Sequence, residues 1–113
     1  MADLSGDLWT TQPRVVIRLD FYGRGRVGHG KIELLEGIAQ TGSIARAARA
    51  LGMSYPRALT LLSQVDQTLG APAAVRSAGG ALGGGAALTP SGAYLVARYR
   101  EIEASAQTQA VMV

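Results

Sequence analysis

Apolar positions change period along this chain, and each change marks an element. From Arg14 to Tyr22, Val15, Ile17, Leu19 and Phe21 alternate with Val16, Arg18, Asp20 and Tyr22. A period of two belongs to a strand with one apolar face, so a strand is expected over 14–22. From Lys31 to Gln40 the period is helical, with Ile32, Leu35, Ile38 and Ala39 on one side. The stretch Gly23–Gly30 between them reads as a flexible connection, and Thr41-Gly42 closes the helix. A second helix follows, with Ile44, Ala47, Ala48 and Leu51 at i, i+3, i+4 and i+7. Ser43 is placed to cap it, because a serine hydroxyl accepts a backbone N–H that has no helical partner. Gly52 supplies the left-handed residue that ends a helix at low cost. Met53 turns the corner and Ser54 is placed to cap a third helix. Ala58, Leu62, Val65 and Leu69 form its apolar stripe, leaving Pro56, Arg57, Thr60, Ser63 and Gln64 outward. A short alanine-rich helix, a glycine turn and a helix with a polar front make a helix-turn-helix.

Gly70-Ala71-Pro72 breaks the pattern. Ala73–Arg76 and Ala86–Leu88 read as short strands around SAGGALGGG, a stretch with too little apolar surface for a core of its own. A glycine-rich hairpin after a helix-turn-helix has the form of a wing, a β-ribbon that can lie along a DNA backbone. Thr89-Pro90-Ser91-Gly92 is a strong helix start, because proline in the first turn loses no hydrogen bond. That helix is expected to run to about Ala106, with Leu95, Tyr99, Ile102 and Ala106 on one stripe. The stripe must be buried either on the chain's own core or against a second subunit. The expected organisation is a loose arm over 1–13, one domain over 14–106 and a frayed tail over 107–113. The fold class is mainly α with a small β wing.

Charge sharpens this picture. The 113 residues carry a formal net charge of +3, and all basic residues except Lys31 are arginine. Eight of the eleven lie between Arg14 and Arg57, opposed there only by Asp20, Glu33 and Glu36. Arginine is the better donor fork for phosphates and guanine edges. There is no cysteine, which excludes disulfides and thiolate chemistry and fits a cytoplasmic protein. No apolar run approaches the ~20 residues that span a bilayer. The opening MADLSGDLWTTQP is acidic and lacks the apolar centre of a secretory leader.

Two glycine patterns invite a nucleotide reading. Gly23-Arg24-Gly25-Arg26-Val27-Gly28 matches GxGxxG after a strand and before a helix, but no acid stands about 20 residues on to hold a ribose. Gly25–Lys31 satisfies GxxxxGK, but Ile32 stands where a P-loop needs Ser or Thr for magnesium. His29 is the only histidine, and no acids converge on it. No catalytic constellation is present, so no enzyme activity, metal or cofactor is expected.

With its elements in order, the chain resembles the N-terminal DNA-binding domain of the ModE family, the molybdate-responsive regulators. That domain is a winged helix-turn-helix related to the one in LysR-type regulators. The residues that carry the resemblance are GSIARAARALGMSYPRALTLLSQVDQTLG, the wing GGALGGGAALTPSG and the helix segment YLVARYREIEA. Gly52-Met53-Ser54-Tyr55 at the corner and the Gly83-Gly84-Gly85-Ala86…Leu88-Thr89 wing ending are its specific parts. The resemblance implies a homodimer that places two recognition helices in successive major grooves of double-stranded DNA. Ser54, Tyr55, Arg57 and Thr60 would face DNA, and Ser43 would contact phosphate. The wing glycines Gly79, Gly80, Gly83, Gly84 and Gly85 would touch backbone. Arg46 and Arg49 are further candidates for phosphate contact. The strand before Gly23 and the helix after Thr89 would build the dimer interface.

The sequence departs from the family's pattern in the places where charge is expected. Pro56 stands where a basic residue is usual, Leu59 where a bulky aromatic is common, and Ala81 or Leu82 where the wing has a lysine. Arg57 is left as the main base-reading candidate, with a surface ion pair as its alternative role. Full-size members continue into oxyanion-binding domains; nothing in this sequence looks like a molybdate site, and molybdate is not expected to bind it. The expectation is a sequence-specific DNA-binding transcriptional regulator without that sensing domain. The alternative is a protein-interaction or heterodimerising winged-helix module that modulates a full-length regulator.

Overall fold

The computed structural model describes residues 13–77 and 84–111. Among them the order of elements is β1 (Leu19–Asp20), β2 (Arg26–Val27), α1 (His29–Thr41), α2 (Ile44–Ala50), α3 (Tyr55–Leu69), β3 (Ala74–Arg76), β4 (Ala86–Leu88) and α4 (Pro90–Ala110). Both strand pairs are antiparallel two-stranded ribbons, β1 with β2 and β3 with β4. This is a winged helix-turn-helix: α2, the Gly52 turn and α3, followed by the β3–β4 wing.

α1 is the centre of the packing. Ile32, Leu34, Leu35 and Ile38 are all fully buried, and α2, α3, α4 and β4 all pack against it. The periodicity placed Ala39 on the buried side; it is exposed, and Leu34 is buried instead. A helix covered from several directions buries a wider arc than a single stripe. Gly37 allows α2 to come close, with Ala47 on its open side. Ala58, Leu61, Leu62 and Val65 of α3 and Leu95 and Tyr99 of α4 complete the core. Leu69 is only partly buried, while Leu61 and Thr68 are buried beyond the expected stripe.

The segment before α1 differs from expectation. Its two-residue alternation holds: Val15, Ile17, Leu19 and Phe21 are half-buried, and Arg14, Val16, Arg18, Asp20 and Tyr22 are exposed. Only Leu19 and Asp20 form a ladder, because only they face a partner strand, with Leu19 opposite Val27 and Asp20 opposite Arg26. The rest of the extended segment is held by side chains of α4. The Val15 N–H donates to Gln107 Oε1 at 2.8 Å, Gln107 Nε2 donates to Pro13 O at 3.0 Å, and the Tyr99 hydroxyl donates to Ile17 O at 3.0 Å.

The glycine stretch Gly23–Gly30 is no loose connection. It turns the β1–β2 hairpin, with the Phe21 N–H donating to Gly25 O at 2.9 Å, and α1 begins inside it at His29. Gly25 has φ +123° and lies against the Thr68 hydroxyl, where no Cβ would fit. That hydroxyl donates to Arg24 O at 2.9 Å and fastens the hairpin to the end of α3. The GxGxxG spacing is thus accounted for by a turn and a close approach.

The last helix also runs further than its stripe suggested, to Ala110 rather than Ala106. Gln107, expected in a frayed tail, is held by its two bonds to the extended segment. Its first half lies on the core through Leu95 and Tyr99, while Ile102 remains 37% exposed. Half-buried Arg100 ties α4 to α1, with Nε and Nη2 donating to the Glu36 carboxylate at 2.9 and 2.7 Å. Glu36 and Glu103 together hold its guanidinium even further above neutrality than usual. Among the described residues no helix is long and apolar enough to cross a membrane.

The start of α4 is seated by the expected cap: the Gly92 N–H donates to Thr89 Oγ1 at 3.1 Å, and that hydroxyl donates to Pro72 O at 2.6 Å. Gly92 is buried with the Ala73 carbonyl where its Cβ would be. Gly92→Ala is therefore expected to destabilise the fold by about 1–3 kcal/mol through overpacking. Gly30→Ala, in a helix with open space beside it, is expected to stabilise by up to about 1 kcal/mol. Thermal melting followed by circular dichroism reads both; an unchanged or raised melting temperature for Gly92→Ala would contradict the packing there.

Candidate nucleic-acid interface

Local caps fix the corner on which the candidate site depends. Ser43 accepts the Arg46 N–H at 3.1 Å, and Ser54 accepts the Arg57 N–H at 3.2 Å. Between them Gly52 takes φ +71° and the Met53 N–H returns to Ala48 O at 3.0 Å. Pro56 sits in the first turn of α3, where its missing N–H has no helical partner to lose. The buried residues of α3 occupy one side, and Ser54, Tyr55, Pro56, Arg57, Thr60, Ser63 and Gln64 are all exposed, as the periodicity implied. The Thr60 hydroxyl donates to Pro56 O at 3.1 Å. Its oxygen lone pairs and methyl group are what remain for a ligand.

The wing stands beside the start of this helix. Its strands pair Ala74 with Leu88 and Arg76 with Ala86. The Ala86 N–H donates to Gly42 O at 2.8 Å, which fastens the ribbon to the corner between α1 and α2. The Ser77 N–H donates to Gly85 O at 2.9 Å and continues the ribbon toward its tip. A cavity of about 580 Å³ opens between α2, α3 and the wing, lined in part by Ser43, Tyr55, Arg76, Gly84 and Gly85. Of the expected site residues, Ser43, Tyr55, Gly84 and Gly85 meet around this cleft. Ser54, Arg57 and Thr60 lie along α3, and Arg46 and Arg49 are exposed on α2. Gly79, Gly80 and Gly83, with Ala81 and Leu82, lie outside the described residues.

The charge on this face is one-sided. The ion pairs lie elsewhere: Arg100 with Glu36 and Glu103, Arg98 with Glu101, and His29 with Glu33. Among the described residues Arg46, Arg49, Arg57 and Arg76 have no carboxylate partner, so the surface ion pair considered for Arg57 is not formed. Lys31, which donates to Arg26 O at 2.8 Å, has its ammonium pKa pushed down by partial burial and by the nearby Arg57 guanidinium. A cation that repels another cation across a surface marks a region of positive potential.

Arg76 was not among the residues singled out from sequence. It is exposed, and its Nη1 donates to the Tyr55 hydroxyl at 3.2 Å, linking the wing to the recognition helix. One sequence signal pointed to it: between Arg57 and Arg98 it is the sole basic residue.

Residues 30–93 match the family described as bacterial regulatory helix-turn-helix protein, lysR family. The chain belongs to that family. The match runs from the first turn of α1 to the first turn of α4, so it takes in α2, α3 and the wing of this LysR-type helix-turn-helix. It leaves out the β1–β2 hairpin and most of α4. Similar proteins include the molybdenum-pterin-binding protein MopB of Rhodobacter capsulatus, 44% identical over 79 residues, or 70% of this chain and 29% of MopB. The molybdenum transport protein ModE of Azotobacter vinelandii is 41% identical over 78 residues, 69% of this chain and 29% of that protein. The molybdenum-pterin-binding protein MopA of Rhodobacter capsulatus is 37% identical over 93 residues, 81% of this chain and 35% of MopA. The chain thus spans about a third of the length of these relatives, and the ModE-like resemblance read from the corner and the wing is shown.

In this LysR-type domain the orientation of α3 depends on its N-cap. Ser54→Ala is expected to cost about 1 kcal/mol of stability, and Ser54→Asp, which retains an acceptor, to restore most of it. Equal melting temperatures for wild type and Ser54→Ala would show that the cap does not hold α3.

Proposed function

We propose that this protein is a homodimeric, sequence-specific DNA-binding transcription regulator that reads a major groove with α3. The observation that carries the reading is the exposed polar arc of α3 together with arginines that have no carboxylate partner among the described residues, in a chain of the LysR-type regulatory family. Arg57 and Thr60 are the proposed base-facing residues, and Tyr55 faces the DNA from the start of the same helix. Ser43, Ser54, Arg46 and Arg49 are proposed to hold backbone phosphates, and so are the wing glycines Gly79, Gly80, Gly83, Gly84 and Gly85. Similarity to molybdenum-related proteins supports regulated genes concerned with molybdenum. The outer surface of α4 supports a self-complementary interface: Tyr94 is 68% and Ile102 37% exposed, and the extended segment beside α4 exposes Val16. A two-fold axis through such a surface would place two α3 helices on one face of the dimer.

Selection of bound sequences from a random duplex pool is expected to enrich a palindrome whose half-sites are about one helical turn apart, ~34 Å, or a multiple of it. On the selected duplex, affinity is expected to fall steeply with salt as neutralised phosphates release counterions. Arg57→Ala is expected to lose discrimination at one base position by about 1–3 kcal/mol. A flat salt response, or no enrichment, would overturn the DNA-binding reading and favour a protein-interaction module.

Light scattering at micromolar concentration is expected to give the mass of two chains, and Ile102→Glu on α4 to give one. A wild-type monomer would overturn the dimer.

A further inference from the structure

We propose that Arg76 seats a backbone phosphate of duplex DNA in the cleft between α3 and the wing, and that the Tyr55 phenol is the positioning group that aims it. The proposal rests on the DNA-binding reading above and adds a residue and a coupling to it. Arg76 ends β3 at the base of the wing, exposed, and spends one of its five N–H donors on the Tyr55 hydroxyl at 3.2 Å. Among the described residues no acidic side chain lines the cleft between them. Asp66 lines the neighbouring groove with Arg76; its Oδ1 accepts the Ala73 N–H at 2.8 Å, and it forms no ion pair with Arg76.

Three features favour a phosphodiester over a base edge. The guanidinium belongs to the wing and not to α3, whose exposed residues include Arg57 and Thr60. Gly84 and Gly85 put bare backbone at the cleft wall, so a polyanion backbone can approach it closely. The Ser43 and Ser77 side chains supply small hydroxyl groups around the same space, where a phosphate oxygen has further donors. A free arginine at a strand end samples many rotamers; the phenol oxygen restricts this one and leaves the rest of its planar fork for an anion. The first turn of α3 carries Pro56, which brings no charge. Arg76 supplies a cation to that end of the helix from the neighbouring element.

The test uses the full chain on two labelled duplexes, one of random sequence and one selected for binding, titrated over a range of potassium chloride concentrations. Arg76→Ala is expected to weaken binding to both duplexes by a similar factor and to reduce the slope of log K against log salt by about 0.9 per protomer. Arg76→Lys is expected to retain the slope. Tyr55→Phe keeps the charge, so it is expected to leave the slope unchanged while weakening both complexes severalfold. That loss should vanish when Arg76 is already alanine. A steep wild-type slope that Arg76→Ala leaves intact would overturn the phosphate seat alone. A Tyr55→Phe loss that persists undiminished in the Arg76→Ala background would overturn the positioning role. If the wild-type chain binds neither duplex at low salt, the DNA-binding reading falls and this proposal with it. Saturable binding of inorganic phosphate, lost in Arg76→Ala while the duplex slope stays intact, would assign the seat to a free anion and overturn it as a DNA contact.

Discussion

The corner at Gly42 sets the geometry of the candidate interface. This residue ends α1 in a left-handed conformation, φ +69°, with its N–H on Ile38 O. Its own carbonyl accepts the Ala86 N–H at 2.8 Å. The next residue, Ser43, caps α2. One peptide therefore fixes where α2 leaves the central helix and where the returning strand of the wing is fastened. A side chain at this φ would be strained, and a shift in the carbonyl would release β4. α3 follows α2 after the Gly52 turn, so its position relative to the wing depends on the same point.

Packing around α1 makes that corner rigid. α1 buries four large aliphatic side chains, and the elements that carry the site rest on it. The carboxylates that could offset the exposed arginines are engaged with other groups. Glu36 and Glu103 are bound to Arg100 at the α1–α4 contact, and Asp66 is turned into the backbone of Ala73. Among the described residues Arg46, Arg49, Arg57 and Arg76 are left exposed without a carboxylate partner, which is the positive charge that the proposed DNA contact would use.

Where the sequence was a good guide, the signal was local. The serine caps, Gly52, Gly42 and Thr89-Pro90 depend on backbone groups a few residues away, and each is found as read. The misreadings share a different cause. A period of two over 14–22 reports which side chains face inward, and it was right about that; it does not say what the backbone pairs with. Here the partner is the side chains of Tyr99 and Gln107, more than eighty residues on. Glycine's permissiveness makes Gly23–Gly30 read as a flexible connection, whereas Gly25 is needed for the contact with Thr68. Nothing local marks Arg76, because its partner Tyr55 lies twenty-one residues earlier.

By itself the sequence determined the order of helices, the caps that start and stop them, the outward arc of α3 and the LysR-type, ModE-like character of the domain. These follow from periods and from hydrogen bonds that close within one turn. Only the tertiary structure decided that the N-terminal segment lies along α4, that α1 is buried on more than one side and that Arg76 meets Tyr55 across the cleft. Each of those is a meeting of groups far apart in the chain. No local pattern encodes them, because they exist only once the core has brought the elements together.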